Sequence, residues 1–394
     1  MKDILKPYAA NENNKNWDKI IKREKELYKR NNDIRSEFER DYTRIIHSTA
    51  YRRMKHKTQV FFSPPNDHIC TRIEHVTHVE SISYTIAKYL GLNTELTRAI
   101  AIAHDIGHSP FGHEGEKILS KISQRDIGER FWHEKNGLER VDKVELLESP
   151  DGDVKTMNLT YAVRDGIISH CGEIDENKLK PREEYINLEE YKYPNQYAPF
   201  TWEACVVKIA DKISYLGRDI ADAIELGILE KDLKELYTIL NYDITKKLNN
   251  TTIINDLIYD LCMNSNPEDG LCFSEETFKL INKLKEFNYQ KIYSSEKVLQ
   301  SINYFELIIN TIYDVLKGYF VDKDKPKLLY PSLINDFEKW LQGYWKTIDN
   351  TDETEQSKAI IYYISGMTDN YAIKIYEKII GIYVIKRSDT NWLN

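Results

Sequence analysis

Thr94-Glu95-Leu96-Thr97-Arg98-Ala99-Ile100-Ala101-Ile102-Ala103-His104-Asp105-Ile106-Gly107-His108-Ser109-Pro110-Phe111-Gly112-His113-Glu114-Gly115-Glu116 is the stretch on which the reading of this chain turns. Its first ten residues carry an amphipathic helical pattern, with Leu96, Ala99, Ile100 and Ala103 apolar. His104 shares a face with Ile100 and Thr97, so its imidazole points inward. Asp105 follows directly, and Gly107 and Ser109-Pro110 break the helix. His113 and Glu116 lie at i and i+3 of the next helix and share a face, where the carboxylate can orient the ring.

The neighbouring segments are also helical. Residues 72–90 place Ile73, Val76, Val79, Ile82, Ile86 and Leu90 on one stripe, and Gly91 offers a stop. His75 shares that stripe with Val79, Ile82 and Ile86 and points inward. Asp211 ends the apolar segment Val206-Val207-Lys208-Ile209-Ala210, inside a helix expected at 201–226. Further helices are expected at 15–55, which is highly charged, and at 112–122, 132–148 and 158–171. Residues 172–200 hold Pro181, Pro194 and Pro199 among many charges and read as an irregular excursion. After Gly227 the pattern is mostly charged helix, with Asn-rich breaks near 249–255 and 263–270 and a short strand at Gly381-Ile-Tyr-Val-Ile. The expectation is an all-α protein: a catalytic core with N-terminal helices over 1–230, and a helical C-terminal region over 231–394 packed on it.

Composition narrows the function. Of 394 residues, 41% are hydrophobic and 30% charged, which excludes a disordered tail protein. Fifty-five basic against 63 acidic residues leave a net charge of −8, which argues against a general nucleic-acid coat but not against a local basic groove. No apolar run approaches the roughly 20 residues of a membrane span, and Met1-Lys2-Asp3-Ile4-Leu5-Lys6 carries no signal core, so a cytoplasmic location is expected. The five cysteines form no CxxC pair and read as reduced thiols. All ten histidines fall between His47 and His170, which concentrates metal or acid–base chemistry in the first half.

His75, His104, Asp105 and Asp211 make a mixed nitrogen and oxygen set. Such a set suits Mn, Fe, Co or Zn, and Mg less naturally. Four protein ligands leave positions for water and a substrate oxygen on an octahedral ion. Spacing alone leaves a structural reading of these residues open beside the metal reading.

Ordered motifs add to this. Thr71-Arg-Ile-Glu-His75 and Ala103–Glu116 are joined by Asp41-Tyr-Thr-Arg-Ile-Ile-His-Ser, Tyr51-Arg-Arg-Met and Lys57-Thr-Gln-Val-Phe. Asn158-Leu-Thr-Tyr-Ala-Val-Arg with Gly166–His170, Ala210–Asp219 and Ile364-Ser-Gly-Met-Thr-Asp-Asn-Tyr-Ala372 complete the set. Together they resemble the dNTP triphosphohydrolase (dGTPase-like) family of the HD-domain superfamily, well over 41–226 and again near 364–376. The resemblance implies an HD-type helical core and a divalent metal (Mn²⁺ or Mg²⁺, with Fe²⁺, Co²⁺ or Zn²⁺ as alternatives) on His75, His104, Asp105 and Asp211. It implies cleavage of a dNTP, dGTP the favoured base, between the 5′ oxygen and the α-phosphorus, giving deoxynucleoside and tripolyphosphate.

The same resemblance assigns His113 and Glu116 as a catalytic dyad and His133 as a catalytic acid. Arg72 and Lys212 match phosphate-contacting positions, with Arg53 and Lys57 as weaker candidates. His108 is placed to meet the α-phosphate or to act as a hydrogen-bonding partner. Gln59, Tyr215 and Asp219 match sugar contacts, and a Tyr under the deoxyribose would crowd out a 2′-hydroxyl. His78 departs from the pattern, since bacterial relatives usually carry Glu there; a hydrogen-bonding or solvent-facing role is expected.

Two competing readings stay open: an HD phosphohydrolase on another nucleotide ester, and a dNTP-sensing or single-stranded nucleic-acid-binding regulator using the basic run Arg52–Lys57. The resemblance further raises a dNTP activator, single-stranded DNA as a partner, and a homo-oligomer, hexamer or tetramer.

Overall fold

The structure, a computed structural model, describes residues 2–27, 33–62, 68–150, 152–171, 177–229, 233–243, 245, 250–347 and 351–381. Its helices begin with α1 Trp17–Ile20, α2 Glu37–His47, α3 Thr49–Arg53, α4 Arg72–Leu90, α5 Thr94–Ala103 and α6 Gly112–Asp126. They continue with α7 His133–Glu139, α8 Tyr161–Ser169, α9 Trp202–Glu225, α10 Leu233–Ile239, α11 Asn250–Asn264 and α12 Glu275–Phe287. The last are α13 Glu296–Val321, α14 Asp324–Leu329, α15 Pro331–Tyr344, α16 Glu353–Ser365 and α17 Asp369–Ile379. The all-α expectation holds: among the described residues the sheet content is one antiparallel ribbon, β1 Leu146–Glu148 with β2 Val154–Thr156.

Local chemistry sets the ends. The Glu74 side chain reaches back to the Thr71 backbone N–H at 2.8 Å and opens α4. Gly91, at φ +82°, closes it in the left-handed conformation that glycine adopts without strain. Asn93 accepts from Glu95 N and Leu96 N to cap α5. Thr201 accepts from Ala204 N to open the 24-residue α9.

The structure corrects several expected boundaries. The charged 15–55 segment is not one helical run: α1 is a single turn, and α2 starts only at the Ser36 capping box. Residues 132–148 begin as helix and end as β1, where Leu146 and Leu147 pair across to Thr156 and Lys155. The break expected at 249–255 lies largely inside α11. The strand expected from Gly381 lies outside the described residues beyond Gly381 itself.

The apolar interior forms two clusters. One gathers α2, α4, α5, α8 and α9, with Leu257, Leu261, Leu284 and Phe287 from α11 and α12. The other gathers α13, α15, α16 and α17 with Ile118, Leu119 and Ile122 of α6. Thus α6, which begins beside His113, has its apolar face against the C-terminal helices. Among the described residues no helix is long and apolar enough to cross a membrane.

Candidate metal centre and acid–base cluster

His75, from the second turn of α4, puts Nε2 2.8 Å from Asp211 Oδ1 on α9 and 3.8 Å from Asp105 Oδ2. His104 caps α5, and its Nδ1–H donates to Ala101 O at 2.6 Å. That bond fixes the tautomer and leaves a lone pair on Nε2. The lone pair faces Asp105 Oδ1 at 3.5 Å and Asp211 Oδ1 at 3.8 Å, with no hydrogen-bond donor between them. Acceptors turned on one another in a buried space repel, and a divalent cation removes that repulsion. Donor atoms of His75, His104 and Asp211 lie within 4.8 Å of one another. The donor set therefore fits a divalent metal.

Charge at this cluster is tightly balanced. Burial opposes ionisation of Asp105, but Arg72, then His104 and His108, outweigh it and hold the carboxyl well below the usual carboxylate range. Arg72 is almost wholly buried, donating from Nη1 to Asp105 Oδ2 at 2.6 Å and from Nη2 to Gln59 O at 3.2 Å. The residue expected at a phosphate thus pairs here with a metal-ligand candidate.

A second cluster adjoins the first. His108 Nε2 lies 3.1 Å from Asp105 Oδ1, and its ring stacks on His133 at 3.8 Å between centroids. Burial, then the charges of Arg72 and His133, hold His108 well below the ordinary histidine value. His133 Nδ1 lies 2.8 Å from Glu116 Oε2, whereas His113 Nδ1 stands 3.7 Å from the same oxygen. Glu116 therefore pairs first with His133. Burial opposes protonation of His133, but the Glu134 and Glu116 carboxylates outweigh it and keep the ring protonated well above the usual range.

Glycine makes this proximity possible. A Cβ on Gly107 would collide with His133 O and the Gly137 backbone, so only glycine lets α7 seat against the loop after Asp105. Asn136 Nδ2 donates to Gly107 O at 2.5 Å and fixes the contact. Phe111, a non-glycine residue at φ +62°, stacks on Phe305 at 4.3 Å. That packing holds a backbone conformation costing about 1–3 kcal/mol.

Along α9, Asp211, Tyr215 and Asp219 share a face. Asp219 is buried, accepts from Tyr293 Oη at 2.6 Å, and is pushed up to about 7 by burial. Tyr215 is half-buried. Gln59 is buried with Oε1 unpartnered among the described residues. Lys212 lies a quarter-turn from Asp211, buried, and lines an apolar crevice with Ile209, Leu271 and Phe273. His78 is half-buried, and burial lowers its affinity for a proton.

The basic run 52–57 does not form one exposed face. Lys57 is buried and donates to the His108 and Ser365 carbonyls, and Arg53 donates to Gly366 O at 3.3 Å. These bonds tie the site to the motif near residue 366. Asp369 completes the tie, accepting from Phe111 N at 3.0 Å and from Thr58 N at 2.9 Å.

Sequence reasoning missed three residues here. His170 is buried, donates from Nδ1 to Ile167 O at 2.7 Å, and turns Nε2 toward Asp105 Oδ1 at 3.9 Å. Its position at the end of the Gly166–His170 motif was the available signal. Tyr293 comes from the C-terminal half, where the helical pattern does not mark it, and Asp369 lies inside the Ile364–Ala372 motif, which was its available signal.

Two family profiles match the chain. The HD domain profile matches residues 72–216, and the Phosphohydrolase-associated domain profile matches residues 271–378. The chain is 36% identical to a deoxyguanosinetriphosphate triphosphohydrolase-like protein of Caldanaerobacter subterraneus subsp. tengcongensis, covering 88% of this chain and 86% of that one. Proteins of the same description from Desulfatibacillum aliphaticivorans and Pelagibacter ubique are 32% and 33% identical. These cover 88% and 89% of this chain, and 88% and 95% of theirs.

Proposed function

The chain belongs to the dGTP triphosphohydrolase-like family of HD-domain phosphohydrolases, and from that premise we propose that it hydrolyses deoxynucleoside triphosphates, dGTP first among them, to deoxynucleoside and tripolyphosphate. One observation carries the reading: Asp211, a member of the metal-fitting donor set, shares α9 with the buried Asp219, two helical turns along the same face. A site spanning from a reacting phosphate to a sugar hydroxyl needs that pairing on a rigid element.

A divalent cation on His75, His104, Asp105 and Asp211 supplies Lewis-acid polarisation of a phosphoryl oxygen. The side chains do the rest. Water attacks the α-phosphorus, the bond from phosphorus to the 5′ oxygen breaks, and the leaving oxygen takes a proton. His133, kept protonated by Glu134 and Glu116, is the donor. His113, which reaches solvent, positions the attacking water beside Glu116 and takes the proton that the water gives up. His108, neutral and bonded to Asp105, serves as a hydrogen-bonding partner of that carboxylate, and Lys212 is assigned to the phosphates on the strength of the family resemblance. Asp219 uses one oxygen for Tyr293 and offers the other to the 3′-hydroxyl, and Gln59 and Tyr215 are assigned as further sugar contacts on the strength of the family resemblance.

Product analysis tests this. The protein is incubated with each dNTP and with GTP, singly and mixed, with Mn²⁺ or Mg²⁺, and followed by ³¹P NMR and nucleoside chromatography. Tripolyphosphate with deoxynucleoside, absent for Asp105→Ala, is the expected result. Pyrophosphate with monophosphate would place the attack elsewhere and end this mechanism.

A further inference from the structure

We infer that His108, His113, Glu116 and His133 form a second divalent-cation site, of the zinc type, beside the first. One donor atom from each residue lies within 4.8 Å of all the others. His108 is committed through Nε2 to Asp105, so its Nδ1 is left buried with no partner among the described residues. The ring centroid of His113 stands 5.3 Å from that of His108 and 5.9 Å from that of His133. Three imidazoles around one carboxylate are the nitrogen-rich, four-donor set that Zn²⁺ and Co²⁺ take in tetrahedral geometry and that Mg²⁺ avoids.

Access and rigidity both fit. The His113 side chain is 62% exposed and opens the cluster to solvent, while His108 and His133 are buried. The close contact of Gly107 with α7 holds His108 against His133. Loading releases to solvent the proton that His133 shares with Glu116. The consequence rests on the function proposed above: a cation here occupies the acid and the water-positioning groups, so it inhibits hydrolysis.

Equilibrium dialysis of the full chain against Zn²⁺, with elemental analysis, tests the site without any nucleotide. Two equivalents per protomer are expected for the native protein, and one each for His113→Ala and for His104→Ala. Co²⁺ gives a second readout: the second equivalent brings the intense visible absorption of a tetrahedral ion, lost in His113→Ala and weakened in the isosteric Glu116→Gln. A single equivalent in the native protein, or two retained by His113→Ala, overturns the inference. Two equivalents in a protein that turns over no dNTP would leave the site standing and remove the proposed function instead.

Discussion

Glu116 Oε2 lies 2.8 Å from His133 Nδ1 but 3.7 Å from the nearer nitrogen of His113, so the carboxylate serves the buried histidine first. The pair expected from helical spacing is thus outcompeted by a contact across 17 residues. A buried ring gains more from a carboxylate than an exposed one, because less water screens the attraction.

Glu116→Gln should therefore act through His133. Removing the carboxylate charge lowers the affinity of His133 for its proton, so the acid is lost at lower pH. The alkaline limb of the kcat profile should move to lower pH, with kcat at neutrality falling about 10²-fold and KM little changed. A kcat profile unchanged in position would show that Glu116 does not tune His133.

Asp219 gives a pH dependence of stability. Its folded value of about 7 lies above the ordinary carboxyl value of 3.8, so the folded state binds the extra proton between them. The contribution of Asp219 to stability is greatest below about pH 4, is lost as pH rises through about 7, and is flat beyond, with a total change on the order of 4 kcal/mol. Denaturant titrations at fixed metal content should show this slope in the native protein and a flatter one in Asp219→Asn.

Asp369→Ala should loosen the site from a distance. It leaves the Phe111 and Thr58 backbone N–H groups without their acceptor, at a cost of about 2 kcal/mol. Thermal unfolding should fall, and metal affinity should weaken because the loop after Asp105 loses its tie to α17. A variant with native metal affinity would limit Asp369 to stability alone.

Gly107→Ala tests the close approach. The added methyl meets His133 O and the Gly137 backbone, so at least about 3 kcal/mol is expected, with loss of soluble protein the practical sign. Gly128→Ala is the control: its Cβ meets nothing within 4 Å, and only the φ of +79° is strained.

The helices around the site were legible because their signals are local. The stripe from Ile73 to Leu90, the stop at Gly91 and the break at Gly107 each depend on residues within a turn or two. The ribbon was not, because Leu146 and Leu147 pair with residues that lie across a turn, and nothing in either strand alone states that partnership.

By itself the sequence determined the inward faces that carry His75 and His104, since a helical period places side chains whatever the helix packs against. Only the tertiary structure decided how the polar groups divide among partners. It gave Arg72 to Asp105, Lys57 to two backbone carbonyls, Glu116 to His133 and Asp219 to Tyr293. The reason is energetic. A buried charge or N–H must find a partner wherever the packed helices bring one within reach, and reach in space is not written in spacing along the chain.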